Sequence, residues 1–268
     1  MSLPTPAKPR GLRLVSLVPS LTELLFDLGL AEAVVGCTHF CIHPEQGVRA
    51  VPSLGGTKKI RLDRLEELRP THVIVNKDEQ PFDLYRKLVA MSERLDFEVV
   101  VTDPTGPLDN PDLFRSFGAL FDCMAQAEGL IAAFDRSLAN LKAAMPAPVG
   151  NPERVLYLIW REPWMAVSPD SYIARALSLI GWEVRPNDPV PRYPEVDPTE
   201  LVAGGLDRIL LSSEPYRFTE AHLADLQARF PDQRVQWIDG EMTSWYGSRA
   251  IAGLDYLAGL IKSGEGGR

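Results

Sequence analysis

Cysteine is scarce in this chain: three in 268 residues, an odd number and too few for a disulfide framework, which favours a reducing compartment. Long apolar runs are missing as well. No window of eighteen apolar residues occurs, so no membrane-spanning helix is expected. Clustered Lys and Arg are absent, and a net charge of −8 with a pI near 5.1 argues against nucleic acid or an anionic membrane as partner. The signatures G-x-S-x-G and H-E-x-x-H do not appear, so no nucleophile elbow or zinc-hydrolase helix is encoded and no enzyme is expected. Gly55-Gly56 fits neither G-x-x-x-x-G-K-[ST] nor G-x-G-x-x-G, which speaks against a phosphate loop. The opening MSLPTPAKPRG holds no apolar stretch of seven or more and no lipid-attachment cysteine. As written the chain is therefore expected to be cytoplasmic, and periplasmic or at the cell surface only if a leader has been removed.

What is present is an ordinary globular composition, 45% hydrophobic and 24% charged, sufficient to bury real cores. Proline is abundant at 23 residues, yet none falls between Asp112 and Met145. Because an interior proline costs a helix roughly 3 kcal/mol, this gap marks a long helix. Phe114, Phe117, Phe121, Met124, Ile131, Phe134, Leu138, Leu141 and Met145 form its apolar stripe at three-, four- and seven-residue spacing. Gly118 and Gly129 are the candidate break points. The segments on either side alternate strand and helix. The expected architecture is α/β: two Rossmann-like lobes, 11–110 and 148–268, bridged by one helix over 111–147.

In the first lobe, strand Leu14 to Val18 runs into a helix that Ser20 and Glu23 cap as a box. A strand from Ala33 leads to Cys37-Thr38-His39-Phe40-Cys41-Ile42-His43, and Val73 to Val75 leads to Asn76-Lys77-Asp78-Glu79. A helix over Phe82 to Leu95 and a strand at Val99 to Val101 complete it. After a linker from Pro146 to Pro152, the second lobe opens with strand Val155 to Ile159, ending in Trp160-Arg161-Glu162-Pro163-Trp164. Strand Ile209 to Leu211 ends in Ser212-Ser213-Glu214, and strand Val235 to Ile238 precedes Trp245-Tyr246 and the last helix.

Open α/β sheets bind ligands beyond the carboxyl ends of their strands. That rule selects Ser20, His39, Phe40, Thr57, Lys58, Asn76, Lys77 and Glu79 from the first lobe, and Trp160, Arg161, Trp164, Tyr193, Trp245, Tyr246 and Arg249 from the second. The aromatic residues suit a flat or apolar ligand face. Lys77, Arg161 and Arg249 suit carboxylates or amides at its edge, Arg161 and Arg249 through bidentate hydrogen bonds. Otherwise the two arginines would pair with Glu162 or Glu241, and the aromatic cluster would be packing at a lobe edge. Cys37, His39, Cys41 and His43 alternate, so in extended chain all four would point one way; thiolate and imidazole together suit zinc or a softer metal.

The strings RLVSLVPSLTELLFDLGL, VVGCT and VPSLGGTKKIRLDRLEELRPTHVIV, with Trp245-Tyr246 and Arg249 before the last helix, resemble the substrate-binding proteins of cobalamin and iron-siderophore ABC importers. The loops THFCIHP, GGTK, NKDE, IWREPWM and MTSWYGSR are most similar to a branch without signal peptides, the helical-backbone metal receptors. The resemblance implies two lobes with the ligand in the cleft between them, little hinge motion and no required cofactor. It implies cobalamin, haem or a ferric siderophore as ligand, a monomer, and an ABC permease as partner. Asp63 falls at the first of the family's two acidic docking places; the second lobe offers no acid beside Trp245-Tyr246. No tryptophan stands near Gly56-Thr57, where cobalamin-binding members carry one. The alternative is an intracellular metal-ion or metallocofactor handler using the Cys37 to His43 loop, and behind it an enzyme on the same scaffold.

Overall fold

The computed structural model describes residues 11–146, 151–189 and 191–263. The opening segment before Gly11 and residues 147–150 of the expected linker lie outside the described residues. The chain divides into two compact units: the first runs to Pro104 and takes in Asp109–Ala133 and Tyr246–Arg249, and the second holds Thr105–Leu108, Phe134–Trp245 and the chain from Ala250.

The first unit is built from β1 (Leu14–Ser16), α1 (Pro19–Asp27), β2 (Val34–Cys37), α2 (Glu45–Val48), α3 (Leu62–Glu67), β3 (His72–Asn76), α4 (Phe82–Leu95) and β4 (Glu98–Thr102). Its sheet has the order β2-β1-β3-β4 with every pair parallel. Leu14, Val15, Val73 and Ile74 are wholly buried, as in a parallel sheet covered on both faces, where strands read as unbroken apolar runs. Leu17, Leu54, Leu65, Leu88 and Phe97 close the core on one side.

The capping box expected at Ser20 and Glu23 does not form. Pro19 occupies the first turn and Val18 is the N-cap, with no side-chain cap; proline's fixed φ suits the first helical position and starts the helix two residues early. Glu23 is instead engaged by Arg249.

The expected single bridging helix is two, α5 (Asn110–Leu120) and α6 (Met124–Ala144). The chain breaks at Phe121-Asp122-Cys123, with Asp122 at φ +55°, and at neither glycine. Gly118 matters through close approach: a Cβ there would stand 2.7 Å from Ala127 Cβ and 3.2 Å from Met124 Cα, so its bare backbone lets α6 start against the end of α5. Cys123 N–H donates to the Gly118 carbonyl at 2.9 Å and closes the turn. The 21 residues of α6 reach roughly 30 Å and carry the chain from the first unit into the second.

The second unit adds β5 (Glu153–Trp160), β6 (Met165–Ala166), α7 (Tyr172–Ser178), β7 (Trp182–Val184), α8 (Pro198–Ala203), β8 (Arg208–Ser212), α9 (Glu220–Arg229), β9 (Arg234–Ile238), α10 (Gly240–Ser244) and α11 (Arg249–Lys262). β5 pairs in parallel with β7 and β8, and β8 with β9. Antiparallel β6 takes the remaining length of the edge that β7 shares. The parallel strands run β7-β5-β8-β9, second-first-third-fourth, the order of the first unit repeated.

Candidate ligand-binding site

In the first unit the loop after β2 leaves the sheet at Cys37 and turns at once, so the extended alternation expected of Cys37, His39, Cys41 and His43 is absent. Cys37 and Cys41 turn inward and pack with Val48, Phe26 and Val51, while His39 and Phe40 are exposed. Among the described residues no group of three or more His, Cys, Asp and Glu side chains could hold a metal ion, and the four-residue metal centre is withdrawn on that geometry. The neighbouring Cys37 thiol holds the Cys41 thiol below its ordinary range against the effect of burial, and the same interaction, with burial, pushes Cys37 upward.

The His39 and Phe40 rings meet with centroids 4.2 Å apart and planes tilted by 45°. They lie over Gly56, whose added Cβ would meet both rings at 3.5 Å, and His39 N–H donates to the Gly55 carbonyl at 2.9 Å. Partly buried Thr57 and exposed Lys58 continue that loop. The structure thus gathers His39, Phe40, Thr57 and Lys58 as one exposed tip.

The turn after β3 is closed on itself. Asn76 Oδ1 accepts from Asp78 N–H at 2.8 Å and Glu79 N–H at 3.3 Å, and its Nδ2 donates to the Thr102 carbonyl. This is an Asx turn of the kind asparagine favours, so the Asn76 side chain is engaged in holding backbone. Gln80, which the sequence did not single out, donates to the Leu17 carbonyl at 3.0 Å and accepts from Asn76 N–H at 2.6 Å, tying the ends of β1 and β3. Exposed Lys77 pairs with Asp103 at 2.7 Å. Ser20 is buried, its hydroxyl without a hydrogen-bond partner.

Tyr246 and Arg249, expected at the ligand, serve the interior of this unit. Tyr246 is 7% exposed and donates to Glu79 at 2.6 Å. Arg249 forks onto Glu23 at 2.9 and 2.7 Å with both side chains mostly buried. Burial raises the Glu23 carboxyl above its ordinary range despite the guanidinium beside it. Of the pairs anticipated across a turn, Arg161 stands 3.9 Å from Glu162, while Arg249 takes Glu23.

The second unit differs in kind. Trp160, at the end of β5, is 42% exposed and meets Tyr216 edge-on at 5.2 Å. Tyr216 contacts Phe218 at 4.8 Å, and Phe218 stacks on Trp164 at 6.1 Å with planes 12° apart. The Arg161 guanidinium lies 5.2 Å from the centroid of the Trp164 ring, with Glu162 and Asp225 at 3.9 and 3.8 Å. Trp164 also packs on the core of this unit, so it is both shelf and support. Tyr193 is exposed.

Trp245 is only 9% exposed and donates its indole N–H to Glu214 at 2.8 Å; Ser244 donates to the same oxygen at 3.1 Å. Trp245 is thus packed, with its indole N–H engaged by Glu214. Glu214 is pushed up by burial, which outweighs these two donors. Tyr216 and Phe218 were missed by sequence reasoning, which stopped at Glu214; the aromatic pair at alternate positions just past a strand end was the available signal.

The profile of the family described as periplasmic binding protein matches residues 14–184, more than half the chain. The chain belongs to the periplasmic binding protein family. Its fold agrees: the periplasmic heme-binding protein RhuT of Roseiflexus sp. RS-1 superposes with a TM-score of 0.77 at 19% identity, over 94% of this chain and 98% of that one. The periplasmic vitamin B12-binding protein BtuF of Vibrio cholerae gives 0.76 at 16% identity, over 94% and 97%. A possible iron-binding periplasmic solute-binding protein of Staphylococcus epidermidis gives 0.76 at 18%, over 93% and 98%. No curated protein matches the sequence significantly. Like its relatives in fold, this family member is a two-sheet α/β protein, and among the described residues no helix is long and apolar enough to cross a membrane.

Proposed function

We propose that this chain is a non-catalytic receptor for a flat metal chelate of the corrinoid or haem class, with ferric siderophores as the related alternative ligand. The observation that carries the reading is the aromatic row at the carboxyl end of the second sheet, exposed Trp160 and partly buried Tyr216 and Trp164 backed by buried Phe218, with Arg161 beside it. A macrocycle offers a wide apolar face and peripheral carboxylates or amides. An open indole edge suits the first, and a planar guanidinium suits the second. Solved relatives in fold that carry heme or vitamin B12 in their descriptions support the ligand class. No resident cofactor is required.

The test is tryptophan fluorescence of the ligand-free protein titrated with haemin, cobalamin and a ferric siderophore, corrected for inner-filter absorption. Saturable quenching by one of them, weakened about tenfold in Trp160→Ala, is expected. Turnover of any chelate by the purified protein, or equal affinity in Trp160→Ala and the parent, would sink the proposal.

An ABC permease is the proposed partner. Asp63 is exposed in the first turn of α3, the helix that precedes the third strand of its unit. The repeated topology supplies the acid that the sequence did not: Glu200, exposed in the first turn of α8, the helix that precedes the third parallel strand of the second unit. Reversing both charges, Asp63→Arg with Glu200→Arg, is expected to abolish association with the permease while chelate affinity stays unchanged. Retained association would remove these acids from the docking surface.

A further inference from the structure

We propose that Cys37 and Cys41 are a redox-active dithiol, which exchanges with low-molecular-weight disulfides such as glutathione disulfide and closes to an intramolecular disulfide beneath the His39–Phe40 tip. This goes beyond chelate binding and does not depend on it.

Three observations carry it. First, the two side chains meet: Cys37 ends β2, the chain turns through a Cys41 N–H bond to the Thr38 carbonyl at 3.2 Å, and Cys37 and Cys41 pack into one buried cluster. Second, the Cys41 sulfur is set up as the nucleophile. The hydroxyls of Thr22 and Thr38 stand 3.1 and 3.3 Å from it, so it has two potential donors, and donors stabilise the thiolate that performs exchange. Third, both cysteines line one cavity of about 530 Å³, which gives a small reactant a place to approach. Cys123 is the contrast. It is buried in the α5–α6 turn, its sulfur directed to the Phe117 carbonyl at 3.8 Å.

In the step itself the Cys41 thiolate attacks one sulfur of glutathione disulfide, forming a mixed disulfide and expelling a glutathione thiolate. That thiolate takes the Cys37 proton. The Cys37 sulfur then attacks the Cys41 sulfur and expels the second glutathione. Two protein thiols are oxidised to one disulfide, and one glutathione disulfide is reduced to two thiols.

The experiment equilibrates the reduced full chain in glutathione buffers of rising oxidised fraction, quenches in acid, alkylates under denaturing conditions and maps the peptides by mass. Cys37 and Cys41 are expected to lose alkylation together, joined in one disulfide, while Cys123 remains alkylated. In Cys37→Ser the mixed disulfide should accumulate on Cys41, at least tenfold more than on Cys37 in Cys41→Ser. Full alkylation of all three cysteines in the most oxidising buffer, or a glutathione adduct on Cys41 that persists in the parent chain, would overturn the assignment. The parent chain decides the matter if a variant fails to fold. No chelate enters the assay, so failure of chelate binding and failure of this proposal are told apart.

Discussion

The two units repeat one strand order but finish their strand ends in opposite ways. After β3 the first unit closes on its own backbone through Asn76 and Gln80, and what it exposes is the short His39–Phe40 tip. After β5 and β8 the second unit leaves aromatic edges open, Trp160 above all. Topology alone therefore does not make a binding surface. The same sheet end becomes a rigid wall when its polar groups satisfy one another, and a surface for ligand when its aromatic rings are held but not covered. The C-terminal motif divides along the same line, Trp245 belonging to the second unit and Tyr246 to the first.

The sharpest break of this comparison contrasts two tryptophans of the second unit. Trp245→Ala is expected to cost about 3–5 kcal/mol of stability, the usual loss for a buried large aromatic, and to leave Glu214 without its indole donor. Trp160→Ala is expected to leave the melting temperature unchanged and to lower chelate affinity. Thermal melts and the fluorescence titration, run on both, decide it; an affinity loss confined to Trp245→Ala would reverse the roles assigned here.

Arg249→Met follows in size. Removing one partner of a mostly buried pair strands the other, and a loss of about 3 kcal/mol is expected, read as a lowered midpoint in urea. Chelate affinity of the folded protein should not change. A selective affinity loss at parental stability would return Arg249 to the ligand.

Glu214 sharpens the comparison through pH. Burial raises its folded-state carboxyl above the ordinary 4.5, so its contribution to stability is complete below that value and is lost as pH rises through the folded-state value. Glu214→Gln retains an acceptor for Trp245 and removes the buried charge. The variant should be more stable than the parent at pH 7, with the gap closing as pH falls through the raised folded-state value and gone by about 4.5. A gap independent of pH would contradict this account.

The smallest effect is expected at Lys77→Ala. Its exposed pair with Asp103 is worth at most about 0.5–1 kcal/mol, and chelate affinity should shift less than twofold, because in this unit the turn is held by Asn76. A larger affinity loss would place the turn at the ligand after all.

Much of the fold could be read beforehand. The helix over Phe82 to Leu95 has both ends where the periodicity puts them, after Pro81 and before Asp96 in a left-handed conformation. The apolar runs at residues 73–75, 155–158 and 209–211 are central strands because strands buried on both faces need no alternation. Strand β7, by contrast, is only Trp182-Glu183-Val184, too short for any period to show, and it exists because β5 offers an unpaired edge. The break between α5 and α6 falls in a run with uninterrupted apolar spacing. It is made by a left-handed aspartate and a close approach at Gly118, neither of which disturbs the hydrophobic pattern.

At the site, residue types were legible and their assignments were not. Aromatic and charged residues at strand ends were foreseeable from the α/β pattern, and Trp160, Arg161, His39 and Phe40 stand there. Asn76, Tyr246, Trp245 and Arg249 carry the same chemistry but spend it on Asp78, Glu79, Glu214 and Glu23. By itself the sequence determined the α/β alternation, the strand cores and the supply of aromatic residues, because these follow from local periodicity and composition. Asn76 is withdrawn locally, but for the others only the tertiary structure decided which residues face outward, because the hydrogen bonds that withdraw Trp245, Tyr246 and Arg249 join positions 31, 167 and 226 apart in the chain.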